Sequence, residues 1–177
     1  VAGLNLKITM DKKALDKALK DIPSKVAKPA SVTAINKALK VSKKKLIRNV
    51  SKTSGVPSKL IKIKTVLYKA SKKFNAGLLW INLSPVPLIK LGRATERGTG
   101  IRVGRRTVKG GFIVHMKSGH EGVFVRRGKD RLPIDEQKLK IKRAGLRAAL
   151  RLRLLLPREF MKVYVPEVER RLARLKR

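Results

Sequence analysis

The sequence predicts an α+β fold: N-terminal amphipathic helices packed on a small, mostly antiparallel sheet, with a basic Gly/Arg-rich loop and a helical C-terminus. Three observations predict it. Apolar residues recur at helical spacing between Ile35 and Val50. Short apolar runs, punctuated by glycine and proline, fill residues 66–126. Strong helix formers rich in arginine and leucine dominate beyond Lys138. At 177 residues the chain is expected to be a single domain, 1–177.

Taken in order, Leu4, Leu6, Ile8 and Met10 alternate with polar residues and predict a short strand. Asp11 can cap a helix that runs to Ile22, where Pro23 stops it. A longer helix is expected from about Pro29, a good first-turn residue. Its stripe is Ile35, Ala38, Leu39, Ser42, Leu46 and Val50, and its opposite face is cationic. Thr53–Pro57 breaks it, and Pro57–Ile63 predicts a short helical turn. Val66–Ala70, Leu78–Leu83 and Val86–Leu91 predict strands, with Ser-Pro-Val-Pro at 84–87 forcing a bend or a sheet edge. Residues 92–111 hold six glycines among arginines, which predicts a long, flexible basic loop or hairpin. Phe112–Met116 and Gly122–Arg126 form a hairpin around the turn at 117–120, and Leu132-Pro-Ile134 a short extended segment. Lys138–Leu156 is expected to be helical, with Pro157 interrupting it. Met161–Val165 looks extended, and a further apolar stripe falls within Glu159–Lys176. The core should draw on Ile35, Leu39, Leu46, Leu79, Ile81, Leu88, Ile89, Ile113 and Phe124.

Charge narrows the function. Lysine and arginine number 46 against 11 acidic residues, a formal charge of +35. From Ile22 to Thr95 there is no carboxylate, while 17 lysines and arginines fall in that span. So basic a body repels itself and is stabilised by a polyanion or an acidic neighbour. Nucleic acid fits, because each neutralised phosphate releases a condensed counterion. Aromatics are only 4%, which argues against a reader that stacks single-stranded bases. No helix-turn-helix, zinc finger or RNA-reading aromatic motif is present, so contact should be to backbone rather than to base edges. Two clusters are candidates for facing DNA or an acidic partner: Lys37, Lys40, Lys43, Lys44 and Arg48, and Arg102, Arg105 and Arg106.

Catalytic chemistry finds little support. With no cysteine, a thiolate zinc site and a cysteine nucleophile are excluded. His115 and His120 flank a turn, and two histidines fall short of a metal's usual ligand count, even with Glu121 and Asp130 nearby in sequence. The acid-free span removes nearly half the chain from the search for a magnesium-binding nuclease centre. Neither Ser84 nor Ser118 lies in a nucleophile elbow, and the glycines at 98–104 lack the helix a dinucleotide fingerprint needs. No catalytic residue, metal or cofactor is expected. The N-terminus does not read as a signal peptide, and no window approaches the ~20 apolar residues of a bilayer span.

The order of several strings adds to this reading. Ala34-Ile-Asn-Lys-Ala38 in a basic helix precedes a Pro-Ser-Lys-Leu-Ile-Lys segment at 57–62 and Pro85-Val-Pro-Leu-Ile-Lys-Leu-Gly92. A Gly/Arg-rich loop, Gly111-Phe-Ile-Val114, Lys117-Ser-Gly-His-Glu-Gly-Val-Phe-Val-Arg-Arg-Gly-Lys129 and Arg131-Leu-Pro-Ile134 follow. From about Ser31 to the C-terminus the chain resembles the minor tail protein Z family of long-tailed bacteriophages and prophages, also called tail completion proteins. The resemblance implies a structural virion protein, not an enzyme, acting at the head-proximal end of the tail. It implies partners among neck and tail proteins, such as a tail terminator and a head-tail connector. It further implies a homo-oligomeric ring, often six-fold, around the channel for viral double-stranded DNA, with no membrane partner. It implies residence in the virion, after assembly in the host cytoplasm. The alternatives are a ribosomal or nucleoid-type structural protein that binds nucleic acid without sequence preference and, further off, a small metal-dependent nuclease.

Overall fold

The computed structural model describes residues 22–176. The strand expected at Leu4–Met10 and the helix expected from Asp11 lie outside the described residues. The described chain divides into two compact units, a helical unit of residues 22–83 with 143–176 and a sheet unit, Ser84–Lys142. The α+β class is correct, but the strands form four small antiparallel sheets rather than one.

In the helical unit, α1 spans Ser24–Ser54. It begins about one turn before the expected Pro29, with Pro23 at the N-cap position. The Pro23 carbonyl accepts from the amides of Val26 and Ala27 at 2.8 and 3.0 Å. Pro29 therefore lies in the second turn, where its missing amide leaves the Lys25 carbonyl without its intrahelical donor. Ile35, Ala38, Leu39, Ser42, Leu46 and Val50 are all buried, as their spacing requires. Gly55 ends the helix at φ +72°, a left-handed position glycine adopts without strain, and its N–H donates to the Ser51 carbonyl at 2.9 Å.

A one-and-a-half-turn helix, α2 (Ser58–Ile63), leads into the hairpin of β1 (Thr65–Tyr68) and β2 (Leu78–Ile81). Their register pairs Thr65 with Ile81 and Tyr68 with Leu78. α1 lies on this hairpin. Asn36 donates to the Ala70 carbonyl at 3.1 Å and accepts from the Ala70 N–H at 2.8 Å. A Cβ at Gly77 would collide with Leu39, so the strand entry needs the bare backbone.

The C-terminal helix α3 spans Lys142–Leu175 without a break. This corrects two expectations: Pro157 does not interrupt the helix, and Met161–Val165 is helical. The reason is a ladder at four-residue spacing. Leu152, Leu156, Phe160, Tyr164 and Val168 are all buried, and Phe160 stacks on Tyr164 with ring centroids 5.0 Å apart. That burial outweighs the roughly 3 kcal/mol an interior proline costs. Pro157 and Pro166 sit on the exposed side.

In the sheet unit, β3 (Val86–Pro87) pairs with β10 (Lys138–Leu139). The expected strand at Val86–Leu91 gives way at Leu88 to a 3₁₀ turn, Leu88–Leu91, which buries Leu88. The loop or hairpin expected at 92–111 is a three-stranded meander: β4 (Ala94–Arg97), β5 (Gly100–Val103) and β6 (Arg106–Lys109). Ile101 and Val103 point inward and are buried, which is what anchors so glycine-rich a stretch. β7 (Gly111–His115), β8 (Glu121–Arg126) and β9 (Ile134–Glu136) form the other sheet, with the hairpin turn where expected. The core of this unit is Leu88, Ile101, Val103 and Val123, with Ile89 and Ile113 packed against it but only partly buried. Among the described residues, no helix is long and apolar enough to cross a membrane.

Candidate nucleic-acid interface

The cationic face of α1 follows from helix geometry. At about 100° per residue, Lys37, Lys40, Lys44 and Arg48 fall on one side, and Lys52 extends the row. All five are exposed. From Lys37 to Arg48 the row runs about 16 Å. No ion pair among the described residues ties down Lys37, Lys40, Lys44 or Arg48. Lys43 does not belong to this face. It falls a quarter-turn off, toward the apolar stripe, and is half-buried. Lys45 is committed elsewhere: its Nζ donates to Glu159 Oε1 on α3 at 2.8 Å. That hydrogen bond holds the Glu159 carboxyl below the usual carboxylate range, against the opposing effect of burial.

The row does not end at Lys37. Lys37 shares a shallow groove of about 470 Å³ with Lys162, Val163, Pro166, Glu167 and Arg170 of α3. Glu167 is buried in the groove wall, where Arg170 and Arg171 donate to the same oxygen at 2.6 and 2.9 Å. The Arg170 hydrogen bond leads the causes that hold its carboxyl below the ordinary value. The carboxylate is neutralised twice over, so the groove keeps a cationic character. Lys162 and Arg170 are absent from the sequence-derived cluster. Only the tertiary placement of α3 beside α1 brings them to it, and no local pattern announces that.

The second cluster is split by strand register. Ile101 and Val103 face the core, so Arg102 faces out, and its cross-strand neighbours are Thr95 and Thr107. Arg97 and Lys109 pair across Gly100 on that same outer face. Arg106 is opposite Val103 and belongs to the other face, while Arg105 sits in the β5–β6 turn. The outer face is therefore Arg97, Arg102 and Lys109, with Arg105 at its edge. Alternation outward from Ile101 and Val103 was the signal that could have found Arg97 and Lys109, had the strands been recognised.

The histidines are placed by local pairs. His120 Nε2 lies 3.2 Å from Glu136 Oε1, and Lys138 binds the other oxygen of Glu136 at 2.6 Å. His115 is 3.8 Å from Glu121. Arg127 grips Asp135 with two bonds of 2.9 and 3.1 Å, which raise the arginine further above its ordinary pKa. Among the described residues, no three histidines, aspartates or glutamates converge as a metal site would need.

Comparison with known proteins gives this cationic architecture its context. Residues 12–154 match the sequence profile described as Prophage minor tail protein Z (GPZ). A tail completion protein of Escherichia phage N15 is 31% identical over 140 residues, covering 71% of this chain and 76% of its own length. The tail completion protein Z of Escherichia phage lambda is 30% identical over 149 residues, covering 72% of this chain and 78% of its own. No solved structure matches. The chain belongs to the prophage minor tail protein Z family.

Proposed function

We propose that this chain completes the tail as a structural component at its head-proximal end, in a ring of copies around the DNA channel, and that it catalyses no reaction. The observation that carries the DNA part of this reading is the exposed row Lys37, Lys40, Lys44 and Arg48, in a span from Ile22 to Thr95 that holds no carboxylate. A rigid helix spaces the four charges about one turn apart, suited to successive contacts with a phosphate backbone and blind to base sequence. The outer face of the β4–β6 meander offers a second, smaller set. Such contacts are individually weak and salt-sensitive, so they position a DNA end without fixing it. A ring multiplies them around the channel, and tail terminator and head-tail connector proteins are the neighbours this position would give it.

Replacing Lys37, Lys40, Lys44 and Arg48 together by glutamine tests the DNA contact. Double-stranded DNA binding should weaken equally for all sequences and lose roughly 0.9 of salt slope per contact removed. An unchanged slope, with normal DNA retention in assembled particles, would overturn it. Electron microscopy of tails tests the ring, and a single off-axis copy would contradict it.

A further inference from the structure

The outer face of α3 carries a second feature that DNA binding leaves unused. Leu150, Leu154, Pro157, Met161 and Val165 follow one another at steps of four, three, four and four residues. That spacing stacks them in a single stripe about 22 Å long. Leu150 is 61% exposed and Leu154 81%, and Met161 and Val165 are each more than 40% exposed. Buried Ala148, Leu152, Leu156 and Phe160 lie on the other side of the same helix over this span. α3 thus has two apolar faces, and only one of them is buried.

Charge around the stripe defines what can cover it. Arg147, Arg151 and Arg158 line one side and Arg153 the other, all exposed. The only carboxylate between residues 147 and 165 is Glu159, which is bound to Lys45. A second copy would bring the same arginines against these, and like charges at close range are repulsive. A nucleic acid would answer the arginines and leave five apolar side chains uncovered in water. We infer that the α3 stripe docks a different protein, through a surface whose apolar ridge is flanked by aspartate and glutamate. The arginines would steer the encounter and the aliphatic side chains would hold it. That this protein is a component of the tail rests on the proposed function; the chemistry of the surface does not.

The test places a photo-crosslinking phenylalanine analogue at Leu154 in the full chain, during tail assembly in infected cells. The expected cross-link joins Leu154 to another tail protein, in a segment that carries carboxylates beside apolar residues. A cross-link to α3 of a second copy, to residues 1–21 of the same chain, or to nothing at all would overturn the inference. In parallel, Leu150→Asp with Leu154→Asp should cut incorporation into tails at least tenfold, while the thermal melt of the free chain stays unchanged. Incorporation at the wild-type level by the double variant also overturns it. Absence of the wild-type chain from tails would instead defeat the tail reading itself.

Discussion

The helical unit and the sheet unit hold themselves together by different means. In the helical unit, large side chains disappear from water altogether: Leu46, Val50, Val56, Ile61 and Phe160 are each at most 1% exposed. The sheet unit hides Val86, Ile101, Val103, Val123 and Ile141 as completely, but its Leu88 keeps 8% exposure and half-covered residues pack around the nucleus. Units of roughly 60 residues are marginal on apolar burial alone. The sheet unit depends correspondingly more on strand pairing and on backbone close approach. Both units bind a shielded carboxylate: α3 pairs half-buried Glu159 and buried Glu167 with basic residues, and the sheet unit pairs half-buried Glu136 with Lys138, while Arg127–Asp135 is exposed. The helical unit holds the larger buried side chains and the sheet unit the more strand pairing, and substitutions can separate the two contributions.

The largest effect should come from volume. Phe160→Ala removes a fully buried ring and its stack on Tyr164, and should cost about 3–5 kcal/mol. Trp80, the only tryptophan, lies on β2 in the helical unit and reports its unfolding by fluorescence. If amide exchange at 101–125 collapses in the same variant to the same extent, the two units do not differ in what supports them. The next effect belongs to register. A Cβ at Gly100 would strike the carbonyl oxygen of Val108 across β5 and β6. Gly100→Ala should cost about 2–3 kcal/mol and expose the amides of 101–108 to exchange while leaving the Trp80 signal native. A fully protected meander in that variant would show that the close approach does not matter.

Acid should sharpen the comparison further. Glu159 and Glu167 both have depressed folded pKa values, through the hydrogen bonds of Lys45 and Arg170 respectively. Their contribution is complete above the unfolded carboxylate value of about 4.3 and is lost as pH falls through the folded values. The helical unit should therefore weaken from about pH 4 downward. Glu159→Gln with Glu167→Gln should flatten that dependence and cost about 1–3 kcal/mol at pH 7, mostly from Glu167. A Trp80 acid transition of the same shape in both proteins would remove these carboxylates from the account. The smallest effect should come from Lys40→Gln with Lys44→Gln: exposed lysines change folding stability by no more than about 0.5 kcal/mol. A larger loss in a urea melt would mean that the α1 face is structural.

Sequence legibility followed the strength of local pattern rather than the division into units. The stripe of α1 was readable because six apolar or small positions keep one period over four turns, and tertiary context did not override them. The hairpin at 112–126 was readable because two short apolar runs, Phe112–Val114 and Val123–Val125, flank a Ser-Gly turn. The β4–β6 meander was not, since strands of four residues leave only Ile101, Val103 and Val108 to signal alternation among glycines and arginines. In α3, Pro157 argued locally for a break, and the ladder that overrides it becomes visible only when its buried side is known. In the α1 row, Lys43 is half-buried at the edge of the cationic face, a position that depends on where the buried stripe is centred. Lys162 and Arg170 could not be read at all, because nothing local brings α3 to α1.

The two prolines of α3 leave a further mark. Each lacks the amide that would have reached back four residues, so the carbonyls of Arg153 and Lys162 lose their intrahelical donor. A helix with two such missing rungs bends most readily at those points. α3 remains one continuous helix, and its least resistant joints lie near residues 153–157 and 162–166. The first joint interrupts the outer apolar stripe and the second borders the cationic groove. A load applied at the stripe would be taken up at these joints before it strained the buried ladder. Mechanical compliance of this kind would let the helix follow a neighbour of slightly different spacing without unfolding.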